Sequence, residues 1–241
     1  MVSKIDHSPW PSCPDRFNFA DYVLARGAQD KVALEIVGAR ATTKLTYGEI
    51  RARVFGYAAD LERQGIKRGD FIGLRLKNQV EFPLLFLACA YIGAIPVATS
   101  PQLTAHEYDG LLSRLPMAKT LYNAALDVLL RDHAFIDVRH ISPNRSPHPG
   151  IRTRSNDPAY CVFTSGTGGD PLPVLHAHRA VWALQMMWQD WYDLTDQDRM
   201  FHAGAFNWTY TMGTGLLDPW AMGATAIVMD PNDPMPLDQA L

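Results

Sequence analysis

Cysteine is scarce in this sequence, with three residues in a chain of 241. Cys13, Cys89 and Cys161 form an odd set, and their spacings match no metal-binding pattern, which argues against a disulfide framework or a cysteine-based metal site. Cys89 and Cys161 lie in apolar runs, so we predict that both are buried packing residues. This sparing use of cysteine is typical of a cytoplasmic protein.

An excess of basic charge is also absent. The formal net charge is −3 and the sequence pI is near 6.2. Lysine and arginine are scattered, with no run of five or more. Because a domain that binds a phosphate backbone is normally strongly basic, nucleic acid is not expected as a partner.

Long hydrophobic runs are missing as well. The most apolar segment extends from Phe82 to Ala98 and is interrupted by Pro83, Gly93 and Pro96. A membrane-spanning helix needs about 20 apolar residues, so a buried helix followed by a buried strand is the better interpretation. Residues 1–15 contain prolines and no apolar h-region, which does not fit a signal peptide. The sequence therefore predicts a soluble cytoplasmic protein with no membrane span.

What the sequence does contain is a regular alternation of two patterns. Strand-like segments alternate with helix-like segments from residue 32 to about residue 135. This order predicts an α/β fold in which largely parallel sheets are flanked by helices. Capping boxes at Thr46/Glu49 and Thr104/Glu107 mark the starts of two of the helices. Apolar residues make up 47% of the chain, enough for a core of ordinary size.

Composition divides the chain into five predicted segments. Residues 1–17 form an irregular lead-in, and residues 18–141 form a first α/β subdomain. The polar, proline-rich stretch at 142–158 is predicted to be a linker. Residues 159–230 resume the alternation of strands and helices, and residues 231–241 form an irregular tail.

The stretch FTSGTGGDPLPVLHAH, residues 163–178, is the most distinctive motif. A buried strand, AYCVFTSG, leads into a run of small and hydroxyl residues: Thr164, Ser165, Gly166, Thr167, Gly168 and Gly169. Closely spaced backbone N–H groups and hydroxyls of this kind form an anion-binding nest. The motif is neither GxxxxGK[ST] nor GxGxxG opening a helix. On composition alone, a flexible turn rich in Gly, Ser and Thr explains it equally well.

The context of the motif resembles one family. YCVFTSGTGGDP followed by VLHAHRAV is similar to the phosphate-loop signature of the adenylate-forming enzymes, which include acyl-CoA synthetases, luciferases and nonribosomal adenylation domains. LTYGEIRARVFGYAADLERQGIKRGDFIGLRLKNQVEFPLLFLACAYIGAIPVATSPQLTAHE looks like the family's N-terminal stretch, and DRMFHAGAFNWTYTMGTGLLDPWAMGATAIV looks like the segment after the loop. The resemblance covers residues 18 to about 230 and implies the fold of the N-terminal domain of acyl-CoA synthetases.

The resemblance also implies chemistry. In this family a carboxylate attacks the α-phosphate of ATP, giving an acyl-adenylate and pyrophosphate, and a thiol, usually coenzyme A, then takes the acyl group. The implied cofactors are ATP/AMP and Mg²⁺, and the implied partners are a carboxylic acid and coenzyme A. By position, residues 164–169 would hold the β- and γ-phosphates. Catalysis of this kind depends on positioning and charge stabilisation because the reactants are anionic.

The sequence departs from the family pattern in three ways. Gly168 stands where the family has a second threonine, and Pro171-Leu172-Pro173 stands where it usually has Pro-Lys-Gly. Losing a charge-assisted phosphate contact costs on the order of 1.5–3 kcal/mol. The chain also ends before the family's adenine and ribose motifs, its hinge and its C-terminal domain with a catalytic lysine, so no catalytic residue is assigned.

Histidines and aromatic residues around the loop suggest further roles. His176 and His178 are spaced to share one face of a strand. A metal pair lacks a third ligand in the sequence, and hydrogen bonding at a helix start is the favoured interpretation. On the helix predicted over residues 179–194, five large apolar side chains are expected to be mainly core: Trp182, Met186, Met187, Trp188 and Trp191.

The segment FHAGAFNWTYTMG is dense in aromatic and small residues. The family resemblance implies that it lines the acyl pocket, with His202, Phe206 and Trp208 as the wall, whereas plain core packing is the competing explanation. A pocket of this composition would suit an aryl or medium-sized acyl acid.

Three functions remain open at this point. The first is the N-terminal part of an acyl-CoA synthetase-like ligase, truncated or split, which would activate an acid only when a complementary C-terminal polypeptide completes it. The second is a non-catalytic nucleotide- or acyl-binding module or a partner-binding pseudoenzyme, favoured by Leu172 and Pro173. The third is a remnant whose exposed apolar surface drives aggregation or is covered in a homodimer.

Overall fold

The computed structural model describes residues 11–123, 133–150, 153–164 and 171–240. The strands are β1 Val32–Val37, β2 Thr42–Thr46, β3 Phe71–Arg75, β4 Ile95–Ala98, β5 Lys119–Tyr122, β6 Phe135–Asp137, β7 Pro158–Thr164, β8 Leu172–Ala177, β9 Arg199–His202 and β10 Thr225–Met229. The helices are α1 Phe19–Leu24, α2 Tyr47–Arg63, α3 Glu81–Tyr91, α4 Ala105–Arg114, α5 Arg179–Ala183, α6 Gln185–Asp190, α7 Thr209–Met212, α8 Asp218–Met222 and α9 Leu237–Ala240. A 3₁₀ turn at Val138–His140 and a π-helical segment at Gly213–Leu217 complete the set.

The strands form two sheets, and each sheet contains strands from both the first and the second half of the chain. One sheet has the order β2-β1-β10-β9, and the other has the order β6-β5-β3-β4-β7-β8. All pairings are parallel except β1 with β2 and β7 with β8. The predicted layered α/β fold with largely parallel sheets is therefore confirmed.

The predicted linker at 142–158 separates strands that pair with each other. β7 follows this stretch and pairs with β4, while β10 pairs with β1 at the other end of the chain. Residues 142–150 and 153–157 contain no helix or extended ladder, although Arg154 forms an isolated bridge with Arg16. Each sheet thus needs residues from both sides of the stretch, and the five-segment division stays a prediction about sequence alone.

The core is centred on α3, which is buried on every side. Ten consecutive residues of α3, from Phe82 to Tyr91, are buried, as are all residues of β4. This confirms the interpretation of the longest apolar run as a buried helix followed by a buried strand. Burying one large apolar side chain contributes about 1.5–3 kcal/mol, so this run accounts for a large share of the folding energy.

The helix starts follow the sequence signals. Thr46 Oγ1 accepts a hydrogen bond from the Glu49 N–H, and the Glu49 carboxylate accepts one from the Thr46 N–H. The same reciprocal pair forms between Thr104 and Glu107 at the start of α4. Both predicted capping boxes are confirmed.

The remaining expectations have mixed outcomes. Cys89 and Cys161 are both buried, as predicted. The helix expected over 179–194 is divided into α5 and α6 at Leu184, and β6 was not anticipated. The pattern ALDVLLRDH at 125–133 also predicts a helix, but most of these residues lie outside the described part of the chain.

Candidate functional site

A cavity of about 490 Å³ lies where the carboxyl ends of two pairs of parallel strands meet, one pair from each sheet. Ligands in open α/β sheets bind outside the carboxyl ends of strands, so this is the position at which the fold favours a ligand. The lining comes from the segments after β3, β4, β9 and β10, and we call it the strand-end cavity: Lys77, Asn78, Ser100, Pro101, Gln102, Ala203, Gly204, Ala205, Asn207, Trp208, Met229 and Pro231.

The predicted phosphate motif leaves the sheet at the same edge. Ser165, Gly166, Thr167, Gly168 and Gly169 lie outside the described residues, but Thr164 ends β7. β7 is parallel to β4 with Ala98 opposite Val162, so Thr164 and Ser100 are each two residues beyond this paired position. The motif therefore begins beside a strand whose continuation lines the strand-end cavity.

Leu172, at the position where the family resemblance implies a lysine, lies directly opposite Thr164. The two residues are partners in the antiparallel ladder of β7 and β8, and Thr164 Oγ1 donates a 3.4 Å hydrogen bond to the Leu172 carbonyl oxygen. The Leu172 side chain is 62% exposed. Leu172 thus begins β8 at the end of the ladder and exposes an aliphatic side chain to solvent beside Thr164.

Asn78 joins the two sheets across the strand-end cavity. Its Nδ2 donates to the Gly204 carbonyl oxygen at 2.8 Å, and its Oδ1 accepts from the Phe206 N–H at 2.8 Å. Lys77, the preceding residue, donates from Nζ to Asn232 Oδ1 at 3.1 Å. Sequence reasoning missed this pair, although two polar residues that follow the buried strand β3 after Leu76 were a usable signal.

Arg75 supports the same edge from inside the protein. It is buried, its Nη2 donates to the carbonyl oxygens of Pro101 and Leu103, and its guanidinium carbon lies 5.1 Å from the centre of the Tyr108 ring. Burial lowers the pKa of this guanidinium. Because these hydrogen bonds hold the segment after β4 in place, Arg75 fixes one wall of the strand-end cavity.

The three predicted acyl-pocket residues occupy different environments. Phe206 is buried and stacks on Phe82 with ring centroids 5.2 Å apart. His202 accepts a 3.1 Å hydrogen bond at Nδ1 from the Gly204 N–H and meets the Tyr210 ring edge-on. Trp208 is exposed and lines the strand-end cavity. Their role as a wall around an acyl group stays a prediction.

A second cavity, of about 250 Å³, lies next along the same segment of chain. The strand-end cavity is lined by several residues between positions 203 and 208, and this cavity is lined by several residues between positions 209 and 218. We call it the aromatic cavity, and its described lining is Tyr160, His176, Ala180, Leu184, Met187, Thr209, Tyr210, Met212, Gly213, Thr214, Leu217 and Asp218.

Asp218 is the carboxylate among the described residues that line the aromatic cavity. Its side chain is almost fully buried, and Trp188 Nε1 donates a 2.8 Å hydrogen bond to Oδ1. Burial raises the pKa of Asp218 to about 6, and the Trp188 hydrogen bond opposes that rise. The residue was not singled out from the sequence.

The two histidines after the loop pack on one aromatic cluster. His176 stacks on Tyr160, with ring centroids 4.6 Å apart and planes 8° apart. His178 is fully buried beside Phe19, whose N–H donates to His178 Nδ1 at 3.2 Å. The predicted helix-start hydrogen bond therefore exists, but at the start of α1 and not at the start of its own helix, α5. The described residues contain no group of three potential metal ligands.

The expectation that the five large apolar residues of 182–191 are mainly core was wrong for two of them. Trp188 is buried, and Trp182 and Met187 are partly buried. Trp191 is 77% exposed and Met186 is 48% exposed. The break between α5 and α6 changes the helical phase, so the spacing of an unbroken helix does not apply. Within the described part of the chain, no helix is long and apolar enough to cross a membrane.

Comparison with known proteins places this architecture in a family. The model of the family described as AMP-binding enzyme matches residues 23–241. The chain is 26% identical over 231 residues to a protein of Rhodopseudomonas palustris named 4-hydroxybenzoate–CoA/benzoate–CoA ligase, an alignment that covers 88% of the chain and 42% of that relative. It is 23% identical to the benzoate–CoA ligase of Thauera aromatica, covering 95% of the chain and 47% of the relative. The chain thus spans less than half of the length of these curated relatives.

Solved structures share the fold. A fatty acyl-adenylate ligase from L. pneumophila, in complex with acyl adenylate and pyrophosphate, superposes with a TM-score of 0.77 at 21% identity, covering 89% of this chain and 40% of that one. A benzoate CoA ligase from Burkholderia xenovorans superposes with a TM-score of 0.75 at 23% identity, covering 93% and 47%.

Proposed function

Because the chain belongs to the AMP-binding enzyme family, whose N-terminal part it covers, we propose that it contributes the N-terminal part of an AMP-forming acid–thiol ligase. The reaction would join a carboxylic acid to the α-phosphate of ATP, release pyrophosphate, and pass the acyl group to coenzyme A. The observation that carries the proposal is the convergence of β3, β4, β9 and β10 on the strand-end cavity, with the Gly/Ser/Thr motif leaving β7 at the same edge.

The residues at this edge suit anionic ligands. Backbone N–H groups and hydroxyls of residues 164–169 would hold the β- and γ-phosphates of ATP. Lys77 places an ammonium group in the cavity lining, where it would attract the same anions. Bound ATP and Mg²⁺ would supply the adenylyl group and charge neutralisation. The chain's own task is to hold the phosphates and the acid in position.

The acid would be small. The predicted wall residues His202, Phe206 and Trp208 lie on the segment that leads from the strand-end cavity to a second, aromatic-lined cavity, and they support a site for an aryl or medium-sized acyl group. The two curated relatives described above are named for benzoates, which agrees with this size.

Activity is proposed to require a further segment. The matched region is 42% of one relative and 47% of another, so those ligases use a comparable length of chain in addition. We propose that such a segment, on the same or a separate polypeptide, supplies the adenine and ribose contacts and the catalytic lysine implied by the family.

A second function is supported by Leu172 and Pro173. Leu172 occupies the position of the phosphate-binding lysine, and Pro173 removes a backbone N–H and fixes φ at that point. These two residues support a non-catalytic module that binds a nucleotide, an acyl ligand or a partner protein.

Acid-dependent exchange of pyrophosphate into ATP tests the first function. We expect no exchange from this chain alone and measurable exchange with benzoate when the C-terminal half of the Rhodopseudomonas palustris relative is added. Absence of exchange in both cases, together with tight calorimetric binding of an acyl-adenylate analogue, would support the second function. Absence of exchange and of binding would contradict both.

Size-exclusion chromatography of the chain alone and of the mixture would report the assembly. Formation of a complex with the added half supports completion by a second polypeptide. A homodimer of the chain that excludes the added half contradicts it.

A further inference from the structure

The aromatic cavity has the size and lining of a site for a single ring. Its volume of about 250 Å³ lies below the about 300–1,000 Å³ of cavities that hold drug-sized ligands. An apolar cavity of about 150 Å³ in another protein binds benzene, so one substituted ring fits in this space. Tyr160, His176 and Tyr210 offer ring faces and edges, and Met187 and Met212 offer polarisable thioethers.

Asp218 gives this cavity chemical selectivity. Among the described residues, Trp188 is the hydrogen-bond donor to its carboxylate, and the bond uses Oδ1. A carboxylate has two oxygens and accepts several hydrogen bonds, so acceptor capacity remains on a side chain that lines the cavity and is only 1% exposed. An acceptor in such a position favours a ligand that brings its own donor.

The backbone before Asp218 departs from regular α-helix. Asp218 begins α8 directly after the π-helical segment Gly213–Leu217. Single π-helical turns are rare and occur frequently at functional sites. Trp188, which lies on α6, donates a hydrogen bond to Oδ1, so the position of the Asp218 carboxylate is set by two separate elements.

We propose that the aromatic cavity binds the ring of the acid substrate, and that Asp218 selects acids whose ring carries a hydroxyl or amino donor. This inference rests on the proposed ligase function, and it names the substrate class within it. The donor lies on the ring opposite the reacting carboxylate, because two carboxylates repel each other when they share a site. Benzoic acids with a para hydroxyl or amino group fit this description.

Binding to the chain tests the inference without requiring catalysis. Titration calorimetry with 4-hydroxybenzoate, 4-aminobenzoate, 4-methoxybenzoate and benzoate compares donors with an acceptor and an unsubstituted ring. We expect the two donors to bind about tenfold to a hundredfold tighter than 4-methoxybenzoate, the range for a hydrogen bond to a charged group.

The matched variants are Asp218→Asn and Asp190→Asn. Asparagine at 218 keeps an acceptor for Trp188 and offers an amide donor, so the preference for donors over 4-methoxybenzoate should disappear or reverse. Asp190 is an exposed carboxylate at the end of α6, and its replacement should leave the preference unchanged. An unchanged preference in Asp218→Asn would overturn the proposal.

Methyl NMR locates the ligand. With labelled methionine, the Met187 and Met212 signals should shift on binding, whereas that of Met117, packed with α4 in a separate cluster, should not. Failure of every benzoate to bind, or shifts confined to Met117, would refute the aromatic cavity as the site. Pyrophosphate exchange by the completed enzyme that persists despite such a result would leave the ligase function standing.

Discussion

Asn78 and Phe206 are joined by a 2.8 Å hydrogen bond from the Phe206 N–H to the Asn78 side-chain oxygen. Asn78 follows β3 of the six-stranded sheet, and Phe206 follows β9 of the four-stranded sheet. The Nδ2 atom of the same side chain donates to the Gly204 carbonyl oxygen. Asn78 thus binds one backbone acceptor and one backbone donor of the loop that follows β9. The geometry of the strand-end cavity depends on this connection.

Replacing Asn78 by alanine should therefore destabilise the protein. The buried Phe206 N–H would lose its partner, and an unsatisfied buried donor costs about 1–3 kcal/mol. Denaturant unfolding should show that loss, and hydrogen exchange at the Phe206 amide should become faster. Asn144→Ala, on an exposed residue, is the control and should change the free energy of unfolding by less than about 0.5 kcal/mol. Equal effects of the two substitutions would contradict the role of Asn78.

His178 should make the protein sensitive to acid. Burial lowers its pKa to about 4 from an ordinary value of 6.5, so between these values the unfolded state binds a proton that the folded state does not. The free energy of unfolding should then fall by about 3 kcal/mol as pH drops through this window. In His178→Asn, which keeps an acceptor for the Phe19 N–H, this part of the pH dependence should vanish. His106→Asn, at an exposed site, should retain it.

Asp218 should act in the opposite direction. Burial raises its pKa to about 6 from 3.8, so the folded state holds a proton that the unfolded state has released. Its contribution to stability is present below pH 3.8 and is lost as pH rises through 6. Asp218→Asn should therefore be more stable than the parent by about 3 kcal/mol at pH 7, with no difference below pH 4. Thermal unfolding at both pH values measures this, and a variant less stable at pH 7 would contradict it.

Restoring a cation at position 172 should strengthen phosphate binding. Leu172 is exposed and lies opposite Thr164, so Leu172→Lys introduces a charge at the end of the motif without disturbing the core. A charge-assisted contact should tighten ATP binding about tenfold to a hundredfold in titration calorimetry. Leu175→Lys places the same charge on an exposed site farther along β8 and serves as the control. An equal gain from both variants would indicate a general effect of charge.

The sequence predicted what depends on local signals. Alternating periodicity gave the α/β fold, and the Thr46 and Thr104 signatures gave two helix starts, because capping involves residues three positions apart. The break at Leu184 and the burial of Asp218 depend on which helices and strands meet in three dimensions. A sequence pattern contains no such information, so these features could not be predicted.

The candidate site shows the same division. The family resemblance drew attention to residues 164–169 and to His202, Phe206 and Trp208, all within contiguous motifs. Asn78 and Asp218 act through partners that are distant in sequence, Phe206 and Trp188 respectively. The position of Asn78 after a buried strand is visible in the local sequence. Its pairing with Phe206, which follows a strand of the other sheet, is not visible there.

The central place of β10 in its sheet has a consequence for synthesis. β1 comes early in the sequence, yet its parallel neighbour β10 is the last of the described strands, and among these strands it is β10 that joins β9 to the sheet. On the ribosome, the early hairpin of β1 and β2 must wait with one edge open until residues 225–229 leave the exit tunnel. Until that closure the nascent chain is open to association, because unpaired strand edges pair with other chains.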